Sequence, residues 1–237
     1  MKTLFLSLLT LSSVGLAAQF GISGYYQNFT ATEWETVLGN MNPGKESLPF
    51  VRQGFRVGVD YWLKPFENTR IILMPELSYS RSEESSFTQI SPFVSRSYQY
   101  HSAGLSLPVN IYLFDLEGDC DCPTWSKSEP FFKKGLFLQV MPGGHFNRYR
   151  FQRIDDDQSL LAARSTDINF SLGAGAGLDV GLSDLITLSP TVRYVYHFDK
   201  WWGNLDEIGP LIDPSPDYSA DPAGWEVGIR LGIRLDY

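Results

Sequence analysis

Hydrophobic and polar residues alternate with a period of two along most of this chain. The last fourteen residues are the clearest case. There Trp225, Val227, Ile229, Leu231, Ile233, Leu235 and Tyr237 are apolar, while Glu226, Gly228, Arg230, Gly232, Arg234 and Asp236 between them are charged or glycine. Successive side chains of an extended strand point to opposite faces, so the stretch predicts one long strand with an apolar and a polar face.

The pattern recurs. At 50–62 the apolar set is Val51, Phe55, Val57, Val59 and Tyr61, facing away from Arg52, Gly54, Arg56, Gly58 and Asp60. At 70–81, Ile71, Leu73, Leu77 and Tyr79 oppose Glu76, Ser78 and Ser80, with Pro75 removing a ladder donor and marking an irregularity. At 97–114, Leu105, Leu107, Val109, Ile111 and Leu113 oppose Ser106, Asn110 and Tyr112. Residues 167–180 alternate from Ile168 to Val180 against Asp167, Asn169, Ser171, three glycines and Asp179. At 187–198, Leu188, Val192, Tyr194, Tyr196 and Phe198 oppose Thr187, Thr191, Arg193 and His197. An aromatic-rich strand at 19–30 and a strand at 135–152 complete eight. In the latter the outward set Leu136, Leu138, Val140 shifts to Tyr149 and Phe151 beyond Pro142, Gly143 and Gly144, which predicts a bulge, since one extra residue flips every later side chain.

Eight antiparallel strands bring both ends of the sheet to one side. The first, third, fifth and seventh connections (31–49, 82–96, 153–165, 199–223) read as long polar loops, and the second and sixth (63–69, 183–185) as short turns. Short periplasmic turns and long external loops are the habit of bacterial membrane barrels. Only 115–134 breaks the parity. A soluble barrel would turn its apolar face inward, whereas here the smaller inward set is Arg, Asp, Glu and Gly. The reading is an all-β, eight-stranded antiparallel up-and-down transmembrane β-barrel, its apolar face in the lipid bilayer of the bacterial outer membrane. Aromatic residues near strand ends suit interfacial girdles: Tyr61, Trp62, Phe114 and Tyr237 at one rim, Tyr79, Phe198 and Trp225 at the other.

Composition adds two constraints. The 237 residues are 43% hydrophobic and 19% charged, with 21 Gly and a net charge of -8, which suits one β-rich domain and argues against a basic nucleic-acid-binding surface. Residues 1–18 have the layout of a secretory signal peptide: Lys2, an apolar run from Leu4 to Leu16, then Ala17 and Ala18. The barrel domain is thus expected to occupy 19–237.

The polar face would carry Arg56, Arg193, Arg230 and Arg234 with Asp60, Glu76, Asp167, Asp179 and Glu226. Opposite charges in comparable numbers inside so narrow a barrel pair and fill it, and the small residues of 167–180 leave room for long side chains from the opposite wall. A small conducting pore is the alternative. Cys120 and Cys122 lie in the exceptional segment 115–134; in the periplasm they would form a strained disulfide or simply order a turn, and the segment is a candidate docking surface for a periplasmic protein. No catalytic, metal or cofactor-binding set is read. His101 and Ser102 are adjacent and so point to opposite faces, and His145 and His197 have no evident serine partner. A lipid-modifying enzyme stays a second alternative. The acidic loop 199–223, with Lys200 its lone cation, matches no calcium-loop spacing and reads as solvated.

Four segments, LPVNIYLF at 107–114, the glycine-rich 167–180, SPTVRYVY at 189–196 and the terminal strand, together resemble the PorT-type outer-membrane barrels of Bacteroidota, a group of small OmpX/OmpA-like barrels. That resemblance implies an outer-membrane location and allows an accessory role in a secretion or envelope system; it implies no chemistry. Arg230, Gly232, Leu235 and Tyr237 resemble the C-terminal insertion signal of such barrels, which implies recognition by the barrel-assembly machinery during insertion.

Overall fold

The computed structural model describes residues 19–41, 52–63, 65, 70–82, 85–90, 93–113, 135–155, 160–183, 185–203 and 219–234. In chain order the elements are β1 (Gln19–Thr30), α1 (Thr32–Met41), β2 (Gln53–Tyr61), β3 (Ile71–Leu73), β4 (Glu76–Ser82), β5 (Ser85–Ile90), β6 (Phe93–Ser106) and β7 (Val109–Tyr112). They continue as β8 (Leu136–Asp155), β9 (Leu160–Leu178), β10 (Val180–Gly181), β11 (Ile186–Phe198), β12 (Lys200–Trp201), β13 (Ser219–Ala220) and β14 (Ala223–Arg234).

Pairing is antiparallel throughout and closes on itself, because β1 pairs with both β2 and β14 while β6 pairs with both β4 and β8. Two staves of the barrel are each made of two pieces, β3 with β4 and β6 with β7, so the wall has eight staves. Proline explains both breaks, since Pro75 and Pro108 have no N–H for the ladder. The neighbouring donors find other acceptors: Met74 N–H donates to Pro108 O at 2.8 Å and Tyr61 N–H to Pro75 O at 3.2 Å.

Outward residues are the apolar column of each stave. Phe55, Leu77, Leu105, Ile168, Phe170 and Trp225 are all more than half exposed, while Arg56, Asp60, Glu76, Arg193, Glu226 and Arg230 are buried. A wall with its apolar side out and its charges in is stable only against hydrocarbon. The belt runs from Phe20, Ile186 and Ile233 at the short-turn end to Tyr79, Phe146, Phe198 and Trp225 at the long-loop end.

The staves do not stop at the belt, and here the expected loops are corrected. The segment expected as a loop at 82–96 contains β5, hairpinned onto the start of β6. The one expected at 153–165 is mostly strand, because β8 and β9 pair from Leu136↔Leu178 up to Ile154↔Leu160. The predicted bulge after Pro142 is absent: register with both β6 and β9 is continuous, so Tyr149 and Phe151 point inward and are almost fully buried. Their apolar character reflects a second core above the membrane, which a period-two reading mistakes for lipid contact. The first loop holds α1, three turns that begin with Glu33 and Glu35 where the helix dipole favours acids. Residues 1–18 and Cys120 and Cys122 lie outside the described residues.

Candidate functional site: the filled lumen and its aromatic cap

Alternation turns one residue in two of every stave inward, and closure brings those from distant parts of the chain into contact. At the short-turn end, Arg230 donates from Nε and Nη2 to Asp60 Oδ2 and Oδ1 at 2.8 and 2.5 Å. Its guanidinium lies 5.2 Å from the centre of the Trp62 ring. Trp62 is therefore part of the lumen filling, donating its indole N–H to Met74 Sδ, and is not a girdle residue facing lipid. Among the described residues Asp179 has no arginine in hydrogen-bond reach; it accepts from Tyr112 Oη and Ser189 Oγ, both at 2.5 Å.

At mid-height a second network crosses the lumen. Glu226, completely buried, accepts from Arg193 Nε at 2.5 Å and Gln27 Nε2 at 2.6 Å, with Arg56 Nη1 at 3.6 Å. Arg56 also donates to Glu76 Oε1 at 2.5 Å and Ser106 Oγ at 3.0 Å. The Tyr25 ring lies 3.9 Å from the Arg193 guanidinium carbon. Two cations thus face two anions, the arrangement that offsets the large cost of burying each alone. The glycines of β9 make room, but for direct cross-strand neighbours rather than for the opposite wall. A Cβ on Gly177 would collide with the Phe137 ring, and one on Gly175 with Arg193 Cβ.

Above the ions sits a neutral polar layer. His145 Nε2 is 2.8 Å from Ser171 Oγ, the serine partner that the sequence does not reveal because 26 residues separate the two. The His145 and His197 rings are 5.0 Å apart, and Asn169 Nδ2 lies 3.3 Å from His197 Nδ1. Asn147 bridges upward, accepting from Tyr100 Oη at 2.8 Å. This layer borders a cavity of about 40 Å³ also lined by Arg52, Ser80, Ser82 and Lys200; a second, of about 10 Å³, lies near Asp179 and Arg230. Among the described residues no group of three or more His, Cys, Asp or Glu side chains is placed to hold a metal ion.

Beyond the belt, the lumen is capped. Trp202 stacks on Tyr149 at 5.1 Å, Trp34 of α1 meets both edge-on at 5.6 and 5.8 Å, and Tyr98 packs on Phe151 at 5.2 Å. These rings bury the carbon-rich ends of β6 and β8 that extend past the bilayer. Lys200 is enclosed beneath them, donating to Tyr100 Oη at 2.7 Å. Burial pushes its ammonium down to about 7, with Asp167 pulling the other way. Asp167 itself belongs to this upper rim and not to the ion network: it accepts from the Trp201 backbone N–H at 3.1 Å and Asn147 Nδ2 at 3.4 Å. The side chain of Arg234, and residues Leu235 and Tyr237 of the expected insertion signal, lie outside the described residues; Arg230 of that set points inward to Asp60.

Periodicity alone finds the inward ions. What it misses is the cap, whose signal was the pair of tryptophans in segments read as loop, Trp34 and Trp202.

No protein-family model matches the chain, and no curated protein matches it significantly. Among solved structures it is similar to a major outer membrane protein from Thermus thermophilus, with 10% identity, 92% of this chain and 100% of that chain covered, and a TM-score of 0.51. It is also similar to Neisserial surface protein A (11% identity, 92% and 97% covered, TM-score 0.43). A third similar structure is Ail, the attachment invasion locus protein of Yersinia pestis (11%, 92% and 100%, TM-score 0.44). Likeness at such identities is likeness of fold, and the fold is that of the small outer-membrane barrels. With its apolar outer wall, the chain is an outer-membrane β-barrel.

Proposed function

We propose that this barrel is a non-conducting structural and protein-interaction element of the outer membrane. The observation that carries the reading is the cross-lumen network of Arg56, Glu76, Arg193 and Glu226, buried on all sides under a cap of packed rings. Ions have no path past side chains that already neutralise one another, and residual cavities of about 40 and 10 Å³ hold a few waters at most. Insertion of the purified barrel into planar bilayers is expected to give no steady current. Reproducible ion-selective openings would overturn the reading in favour of a small pore.

The resemblance to PorT-type barrels supports an accessory place in a secretion or envelope system, with segment 115–134 as the docking surface for a periplasmic protein. Deleting 118–128 should then remove a partner that copurifies with the wild-type chain. The terminal pattern of Arg230, Gly232, Leu235 and Tyr237 supports delivery by the barrel-assembly machinery. We read the His145–Ser171 contact as structural, since it is enclosed in the lumen, away from the apolar outer wall where lipid acyl chains lie. Lipid A profiles with and without expression test this, and loss of an acyl chain would make the protein an enzyme.

A further inference from the structure

Among the described residues, the outer wall just above the apolar belt is basic on one side only. Strand pairing sets Arg81, His101 and Arg148 side by side on three adjacent staves, and sets Arg150 directly opposite Arg164 one row higher. Alternation turns all five outward: Arg81, Arg148 and Arg164 are exposed, Arg150 and His101 half-buried. Neighbouring strands lie about 4.8 Å apart and alternate residues of a strand about 7 Å apart, so the four arginines, spread over four adjacent staves and two rows, share a patch roughly 15 Å across.

Three further observations mark the patch. First, the chain as a whole carries a net charge of -8, yet none of the described outward positions on this part of β4, β6, β8 and β9 is acidic. Second, among the described residues no carboxylate pairs with Arg81, Arg148, Arg150 or Arg164, in contrast to the lumen arginines Arg56, Arg193 and Arg230. Third, the row immediately below is apolar or interfacial: Tyr79, Ala103, Phe146 and Ile168, with the Tyr79 hydroxyl 2.6 Å from His101 Nδ1. On the opposite side of the rim the exposed charges Asp199 and Asp221 are acidic.

We infer that this patch is a binding site for the phosphorylated headgroup of an outer-leaflet glycolipid. A lipid whose acyl chains lie along Phe146, Ile168 and Phe170 brings its headgroup to the height of the arginines. Guanidinium groups suit phosphate because their paired N–H donors match its oxygens. At the edge of a low-dielectric layer the charges are less screened than in bulk water. The same patch in contact with water alone would repel itself with no compensating anion. The inference rests on the long-loop end facing outward, and not on the lumen being closed.

The test uses the full-length protein folded in detergent, with bound lipid counted by native mass spectrometry. A bis-phosphorylated lipid A should be retained at least about tenfold better than its dephosphorylated counterpart or phosphatidylethanolamine, a difference of roughly 1.4 kcal/mol. The quadruple variant R81Q/R148Q/R150Q/R164Q should lose that preference while keeping the heat-modifiable gel migration of a folded barrel, and R81Q/R148Q replaces it if the quadruple variant does not fold. R52Q, whose guanidinium is paired with Glu35 and lines the lumen cavity, should bind as the wild type does. Equal retention of the dephosphorylated lipid, an unchanged preference in the glutamine variants, or complete displacement by millimolar inorganic phosphate would each overturn the assignment. Because this measurement needs no current, its failure leaves the non-conducting reading standing, and the reverse also holds.

Discussion

Arg230 reaches over β1 to hold both carboxylate oxygens of Asp60, joining the last stave of the barrel to the second across the seam where the sheet closes. Both side chains are almost wholly buried. Neutralising one alone strands the other's charge in the lumen, which costs about 3–5 kcal/mol, whereas replacing both with apolar residues of similar volume is often close to neutral. Asp60→Asn or Arg230→Met should therefore lower folding stability in urea titrations from lipid vesicles by about that amount. D60L/R230M should recover most of the loss.

The path of Arg230 depends on Gly21, which lies between the two staves. A Cβ there would collide with the Arg230 guanidinium. Gly21→Ala should destabilise the wild type by more than it destabilises R230M, with a coupling above about 0.5 kcal/mol in a double-mutant cycle. Gly24, whose Cβ would meet nothing within 4 Å, supplies the control, and Gly24→Ala should be tolerated in both backgrounds.

Lys200 makes the cap sensitive to pH. Its amine titrates near 7 when folded and near 10.5 when unfolded, so between those values the unfolded chain binds the extra proton. Stability from this group is present above the unfolded value and is lost as pH falls through about 7. The urea midpoint of the wild type should rise between pH 7 and pH 9.5 relative to Lys200→Met. A difference between the two that stays flat over that window would refute the account.

Trp202 holds the cap by stacking on Tyr149 and meeting Trp34. Removing so large a buried ring costs about 3–5 kcal/mol. Since the cap stands beyond the belt, the loss should be local: in Trp202→Ala, amide exchange at Tyr98, Tyr149 and Phe151 should speed up about 100-fold while β1, β2 and β14 keep their protection. Uniform loss of protection would show instead that cap and wall unfold together.

Much of this was legible in the residues themselves. The columns Phe55-Val57-Val59 and Trp225-Val227-Ile229 face lipid, and Arg56, Asp60, Glu76, Arg193, Glu226 and Arg230 face the lumen, because a period of two assigns faces without reference to anything distant. Pro75 likewise announced its break, whereas the break at Pro108 was not read, its flanking residues keeping the alternation intact.

What the chain determined by itself, then, was the parity of the regular staves, β8 above Pro142 excepted, and with it which of their residues are inside the barrel and which are out. Tertiary structure alone decided who meets whom. Arg193 finds Glu226 through the register of two neighbouring strands, and Arg230 finds Asp60 across the seam where the sheet closes, neither of which a local pattern records. It also decided what the inside contains at each height. Tyr149 and Phe151 occupy the same parity as His145 and Asn147, yet they are aromatic because α1 and Trp202 fold over them above the membrane, where burial has to come from the protein and not from lipid.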